Sequence, residues 1–504
     1  MTPLREAVRR GRFFGAAHAE SATALTGWIA ERDRAAILRG WFGEEALAAI
    51  LAASTGPADA LARLEEAIDR DIAAIDALLS RALDAVLHHP RLSRLEGSWR
   101  GLNWLTERAE ADRMIRIRLL PIRWQELSRD LERAAEFDQS NLFHKLHEEE
   151  FGIAGGEPYG LILCDHEVRP GPSAGHPVDD VALLGRLASV AAAAFSPVIL
   201  PVAPDMLGLG SFAEAGPASD LTLALRGPDR LRWRSLAGRD DTRFLALALP
   251  RTLGRAAWHA DGTRPDRFVY REYVPDSAAR VWTTPIYAMA AVALRAFSRY
   301  RWPAELRGAE PSAIPSGGVV DGLPHERLPS DPPGPPPRPP LELALTDDQE
   351  RALADANIVA LCGLDGLPEA SFGALPTLHR PPRMTTEVAD ANQRLSAQLN
   401  NVLCVCRFAH CVKVMGRDML GAFLAPEEVE LRLSRWLSNH VSGLAGSIDS
   451  AARYPLRDAR VEVREQPGRP GTYGCVIHLQ PHHQLDDVGA VFRLVTDLAR
   501  PRAA

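Results

Sequence analysis

Apolar residues recur at three- and four-residue intervals through "DALARLEEAIDRDIAAIDALLSRALDAVLHH" (59–89): Leu61, Leu64, Ile68, Ile72, Ile75, Leu79, Leu83 and Val86. That spacing predicts one long amphipathic helix within a helical region, 1–90. Its stripe, represented by Leu61, Leu64, Ile68, Ile72 and Ile75, either packs on the body of the protein or pairs with a partner's helix. From 91 to 302 the pattern changes. "MIRIRLLPI" alternates as a strand does, "ALLGRLASVAAAAF" has the helical period, and "SPVILPV" and "RFLALALP" are short apolar runs suited to buried strands. Alternation of strands and helices predicts an α/β domain.

Residues 303–345 are broken by proline and glycine and end in "SDPPGPPPRPP", which cannot enter a helix or sheet interior and predicts a loop or linker. In 346–504, helical periods fill 386–445, and "ARVEVREQPGRPGTYGCVIHLQPHHQL" follows as a hairpin, with "GAVFRLVTDL" as a further strand. The expected fold class is α/β (α+β mixed) and multi-domain: a helical N-terminal region, a central α/β domain, and a C-terminal domain ending in β-strands. Terminal strands carry unpaired edges that must be covered or must recruit another chain.

A chain of 504 residues exceeds one core, which agrees with several domains. The net charge of -7 gives no electrostatic case for nucleic acid. The N-terminus lacks the apolar stretch of a secretory signal. The longest apolar run, "VALLGRLASVAAAAFSPVILPVAP", is interrupted by Arg186, Ser189, Ser196 and Pro197, so no membrane insertion is expected. Six irregularly spaced cysteines suit a reducing cytosol. Lys145 and Lys413 are the only lysines and neither follows a glycine, which excludes a P-loop.

Three clusters invite chemical readings. His144 and His147, with Glu148 and Glu150, place imidazoles and carboxylates at helical spacing, as a metal site would. No HExxH motif is present, and an acidic helical surface accounts for the pattern equally. Cys404, Cys406 and Cys411, with His410, could serve a metal- or thiol-dependent enzyme. However, C-x-C inside a helical period is not zinc spacing, and free cysteines are commonly small core residues. His478, His482 and His483 read as surface or interface residues. "LGLGSFA" mimics a dinucleotide fingerprint, but Gly216 and Pro217 cut short the helix such a site needs. No GxSxG elbow is present. Catalytic residues, metal and cofactors are therefore expected to be absent.

Longer stretches carry more information. "LSRLEGSWRGLNWL" (92–105), "FDQSNLFHKLHEEEFGIAGGEPYGLILCDHEV" (137–168), "LASVAAAAFSPVILPVAPDMLGLGSF" (187–212) and "LRWRSLAGRDDTRFLALALPR" (231–251) together resemble one family. So do "PSGGVVDGLPHERLPSD" (315–331), "RLSAQLNNVLCVCRFAHCVKVMGRDMLGAF" (394–423) and "YPLRDARVEVREQPGRPGTYGCVIHLQPHHQLD" (454–486). The family is the large subunit of the bacterial type VI secretion contractile sheath, the TssC/VipB class (also named EvpB and ImpD). The resemblance implies a cytoplasmic structural protein with a contractile tail-sheath-like fold. It would pair with a small sheath subunit of the TssB/VipA class and self-assemble into a helical tube around an inner tube protein. It would also meet a baseplate and contract to drive the tube outward. A tail-like sheath of another contractile injection system is the neighbouring alternative.

The resemblance also implies that C-terminal strands, here 461–465 and 473–480 with Val461, Val463, Tyr473, Cys475, Ile477 and Leu479, lie in a sheet shared between subunits. "FDQSNLFHKLHEEEFGIAGGEPYG" falls in a family block and should be scaffold. Two departures stand out. "PPGPPPRPP" enlarges a family loop. Residues 1–58 do not match the N-terminus whose helix the AAA+ disassembly ATPase recognises, so this partner is not carried over with the rest.

Overall fold

The computed structural model describes residues 2–504 apart from 14, 111, 154, 266, 310–314, 329, 335–338, 365, 420–425, 443–447, 466–472, 483–491 and 499–504. The chain divides into two compact units that are discontinuous in sequence: 1–95 with 256–281, and 96–255 with 282–504. The proline run at 335–338 lies outside the described residues. Among the described residues, no helix is long and apolar enough to cross a membrane.

The first unit is built on the helix Pro57–Leu87, with proline at its first position, where the missing N–H costs nothing. Four short helices precede it: Pro3–Arg9, Ala19–Ala30, Arg34–Phe42 and Glu44–Ala52. Val8, Trp41 and Phe42 form a small buried core, and Leu64, Ile68 and Ile75 pack against it. Leu61 and Ile72 are exposed. The predicted stripe therefore divides: three positions pack on the chain's own helices, and two remain at the surface. Residues 256–281 return to the far end of the same helix, where Tyr270 Oη donates to Asp84 (2.7 Å) and His88 Nε2 meets Glu272 (3.0 Å).

Asp71 is the buried charge on that helix. It accepts from Arg5 Nε (2.6 Å) and Nη2 (3.0 Å) and from Trp41 Nε1 (2.8 Å), with Arg9 Nε at 3.6 Å. Burial pushes its pKa up, but the bonds from Arg5 and Trp41 outweigh burial and hold it below the ordinary carboxylate value. A lowered folded-state pKa stabilises above the unfolded value and is lost as pH falls through the folded one. The helical unit should accordingly loosen below about pH 4. Asp71→Ala should cost about 3 kcal/mol by leaving Arg5 buried without its anion. Chemical denaturation at pH 7 and pH 3 checks both statements: a variant as stable as the parent at pH 7 would contradict the assigned role.

The second unit contains a six-stranded sheet. Its strands are β1 (Ile162–Leu163), β2 (Val198–Pro201), β3 (Leu245–Leu249), β6 (Val319–Val320), β7 (Val359–Gly363) and β8 (Ala370–Phe372), while β4 (Thr252–Leu253) and β5 (Trp282–Thr283) form a separate pair. The spatial order is β1-β2-β3-β7-β8-β6, parallel from β1 to β7 and antiparallel beyond. Both faces are covered, so the strands are apolar throughout, as a parallel sheet requires. Val198, Leu200, Leu245, Leu247 and Leu249 join one core with the helix Asp180–Ala194. The alternate residues Ile199, Ala246, Ala248, Val359 and Leu361 join a second core with the helix Ile286–Tyr300. "SPVILPV", "RFLALALP" and "ALLGRLASVAAAAF" thus adopt the forms their patterns predict.

"MIRIRLLPI" does not. Residues 115–122 have no regular secondary structure, lead into the helix Trp124–Arg133 and pair with no strand among the described residues. Alternation sets which side each residue takes, whereas a strand also needs a neighbour to complete its ladder. "LGLGSFA" has no helix at its glycines. Gly208 closes a short 3-10 turn in a left-handed conformation (φ 76°).

Candidate functional site

The C-terminal strands form their own sheet, β11-β10-β9, made of β9 (Leu456–Glu465), β10 (Tyr473–Pro481) and β11 (Phe492–Leu498), all antiparallel. Alternation sends Leu456, Val461, Val463, Cys475, Ile477 and Leu479 to one face. There they meet Cys404, Phe408 and Val412 of the helix Leu399–Met419 and Val429, Leu433 and Leu437 of the helix Pro426–Ser438. Trp302 stacks on Phe408 at 4.1 Å and 16° and closes this core. The other face carries exposed Asp458, Arg460, Glu462 and Arg464, paired in register with Gln480, His478, Val476 and Gly474.

Of the residues expected in a shared sheet, Val461, Val463, Cys475, Ile477 and Leu479 therefore turn their side chains into this chain's own core. Tyr473 is placed by its register opposite Glu465 and Leu498. What the module can offer a neighbour is the main chain at its edges.

Those edges differ, and the hydrogen-bond alternation of an antiparallel ladder identifies which groups face out. Val463 N–H donates away from β10, to the Glu430 carboxylate (3.0 Å). Leu456 is engaged on the same side, donating to His440 O (3.2 Å) and accepting from Ser442 N (2.9 Å). The β9 edge is thereby stoppered at both ends, a usual way of blunting an exposed strand. Since Val463 faces away from β10, its β10 partner Cys475 bonds across to Thr496 of β11, as do Ile477 to Leu494 and Leu479 to Phe492. Arg493, Val495 and Asp497 then direct their N–H and C=O groups outward, and no further strand lies beyond β11 among the described residues.

The other candidates separate in space. His144–Glu148 is a π turn, so the helical period that would bring His144 and His147 together is broken. His144 pairs with Glu148 at the surface. His147 instead stacks on Phe143 (4.8 Å, 11°), with Phe151 on its far side at 4.8 Å, and Lys413 Nζ lies 3.4 Å from its Nε2. Burial, aided by Lys413, pushes the His147 pKa down to about 4, and burial pushes Lys413 down to about 8. Glu150 accepts from Arg118 and from Glu157 N (2.8 Å), holding the glycine turn that leads to β1.

Cys404 and Cys406 are buried. Burial pushes Cys404 up to about 12 and holds Cys406 well above the ordinary thiol value, which keeps them as thiols and disfavours both metal and redox chemistry. Cys411 is raised for the same reason. His410 Nε2 lies 3.2 Å from Ala194 O. His482 donates to Ser442 O (2.9 Å), His478 sits on the outer sheet face, and His483 lies outside the described residues. Among the described residues, no three His, Cys, Asp or Glu side chains converge as a metal site would require.

Comparison with known proteins places these features in context. The family model described as the VipB (EvpB-type) tail sheath N-terminal domain matches residues 69–379, and the one described as the tail sheath gpW/gp25-like domain matches 388–498. The type VI secretion system sheath protein TssC1 of Pseudomonas aeruginosa is 35% identical over 445 residues, covering 87% of each chain. Among solved structures, the sheath tail protein of Desulfitobacterium hafniense aligns with a TM-score of 0.29 at 9% identity, over 65% of this chain and 55% of that one. A likeness at that score establishes nothing about the fold.

Proposed function

Because the chain belongs to the VipB/EvpB family of type VI secretion tail-sheath proteins, we propose that its C-terminal strand module ties successive subunits of the contractile tube together through the free edge of β11. The chain is the structural large subunit of that sheath, and large sheath subunits polymerise with a small sheath subunit. A subunit-to-subunit contact that does not close on itself generates a helical filament, and strand addition suits such a contact. Main-chain bonds hold neighbours together whatever the side chains, and a strand can pivot while remaining paired. Contraction is then a rigid-body change between two packed arrangements, with no bond chemistry in the subunit. On this reading the tube encloses an inner tube, starts from a baseplate and lies in the cytoplasm before firing.

The carrying observation is the outward set Arg493, Val495 and Asp497 on a strand whose inner side is fully paired. Val495→Pro removes one outward N–H and no ladder bond within the chain, so the purified subunit should fold as the parent does. Co-expressed with its small subunit, it should give about tenfold fewer tubes by negative-stain electron microscopy, since one lost bond and its steric cost amount to about 1–2 kcal/mol. Leu494→Pro, one residue earlier, removes an inward bond and should unfold the module. Undiminished tubes from Val495→Pro would sink the β11 assignment.

A further inference from the structure

The segment 114–122, Met-Ile-Arg-Ile-Arg-Leu-Leu-Pro-Ile, has the alternation of a strand in its sequence but belongs to no sheet among the described residues. Among the described residues, the N–H groups of residues 116–120 have no hydrogen-bond partner, nor do the carbonyls of residues 115–121. Four of its apolar side chains are exposed as well, Met114 at 70%, Leu119 at 61%, Ile117 and Leu120, while Ile122 packs against the main core. A segment of high β-propensity left this way in a large globular chain is unusual, because exposed apolar residues normally occur singly.

The segment is nevertheless held in place. Arg116 Nη1 donates to Glu157 (2.6 Å), and Arg118 donates to Glu150 and to Tyr159 Oη (2.9 Å). Glu157 and Tyr159 lie on the approach to β1, the outermost strand of the six-stranded sheet. The inner side of β1 is occupied by bonds from Ile162 N to Pro197 O (2.9 Å) and from Cys164 N to Ile199 O (3.0 Å), and among the described residues no strand lies on its outer side. Of the four arginines within residues 113–123, Arg116 and Arg118 are matched by Glu157 and Glu150, while the side chains of Arg113 and Arg123, one at either end, meet no carboxylate among the described residues.

We propose that residues 115–120 are the docking edge for the small sheath subunit, which adds along them an apolar strand with acidic residues at its two ends. Apolar side chains of the incoming strand cover Ile117 and Leu119, and its carboxylates meet Arg113 and Arg123 at either end. Pro121, lacking an N–H, ends the pairing. This rests on the sheath reading but concerns a different edge from β11: it joins the two kinds of subunit, whereas β11 joins successive copies.

The test is hydrogen exchange on the isolated chain and on tubes co-purified with the small subunit. Alternate amides among residues 116–120, those on the side the incoming strand takes, should exchange freely in the first and about a hundredfold more slowly in the second. Ile117→Asp combined with Leu119→Asp places two carboxylates where the apolar side chains of the incoming strand should pack. It changes only surface residues and should abolish small-subunit capture while the isolated chain stays folded. Tubes that form while these amides remain unprotected would overturn the inference and leave the sheath reading intact. Protection that arises in the isolated chain as its concentration rises would assign the edge to a second copy instead and overturn the small-subunit assignment. Failure of the parent chain to co-assemble at all would overturn both.

Discussion

Gly97→Ala should yield little soluble protein, and what is recovered should melt well below the parent. Gly97 and Gly101 lie one turn apart on the helix Pro90–Ala109, both buried. A Cβ at Gly97 would sit 2.0 Å from the carbonyl oxygen of Trp282, and one at Gly101 would sit 2.3 Å from both Thr283 Oγ1 and Tyr287 Cδ2. Glycine is needed here for close approach rather than for an unusual φ. The two positions differ in what must yield. At Gly101 the obstacles are side chains, although Tyr287 is fixed by its hydroxyl's bond to Asp165 (3.0 Å). At Gly97 the obstacle is main chain in β5, so helix and strand must separate. Overpacking of this kind costs typically 1–3 kcal/mol, and a backbone clash belongs at or above about 3. Thermal melting of the two single variants checks the order: Gly97→Ala should be the more damaging, and equal mild effects would mean that the helix does not rest on β5 as described.

The second large effect is expected at Asp180, which is fully buried at the start of the helix Asp180–Ala194. Its carboxylate accepts from Trp124 Nε1 (2.7 Å), His176 Nε2 (2.7 Å) and Arg169 N (2.8 Å), joining three separate segments ahead of the main core. Asp180→Ala removes one acceptor and strands three donors, so the loss should be about 3–4 kcal/mol, well above the worth of any single bond. Asp180→Asn keeps the shape but can accept at only one oxygen, and should recover part of that loss. Urea unfolding of the three proteins checks the ladder. An alanine variant within about 1 kcal/mol of the parent would show that these segments are held by packing alone.

Neither effect was legible in the sequence. Gly97 stands in "EGSWRG", inside a block that marks the family, but the string does not say that main chain from residue 282 passes within reach. Asp180 looks like an ordinary acidic residue in the first turn of a helix, and its partners come from positions 124, 169 and 176. The long helix shows the same limit from the other side. Its apolar stripe was plain, but which residues it buries was not: Leu64, Ile68 and Ile75 pack inward while Leu61 and Ile72 stay out, because the short helices ahead of it cover only part of the stripe.

Periodicity alone determined the long helix, the buried strands β2 and β3, the helices of 386–445 and the three C-terminal strands, because each depends on side-chain spacing that is local in the chain. Collinear blocks determined the family. Tertiary structure decided the rest. It sent Val461, Val463, Cys475, Ile477 and Leu479 into a core of their own chain, placed His144 and His147 apart across a π turn, and made Glu430 a stopper for β9. It also left β11 and residues 115–120 with unspent main-chain hydrogen bonds. The alternating pattern of a strand specifies its two faces and says nothing of its two edges. Whether an edge is closed depends on what the fold brings beside it, and that is information only the folded chain holds.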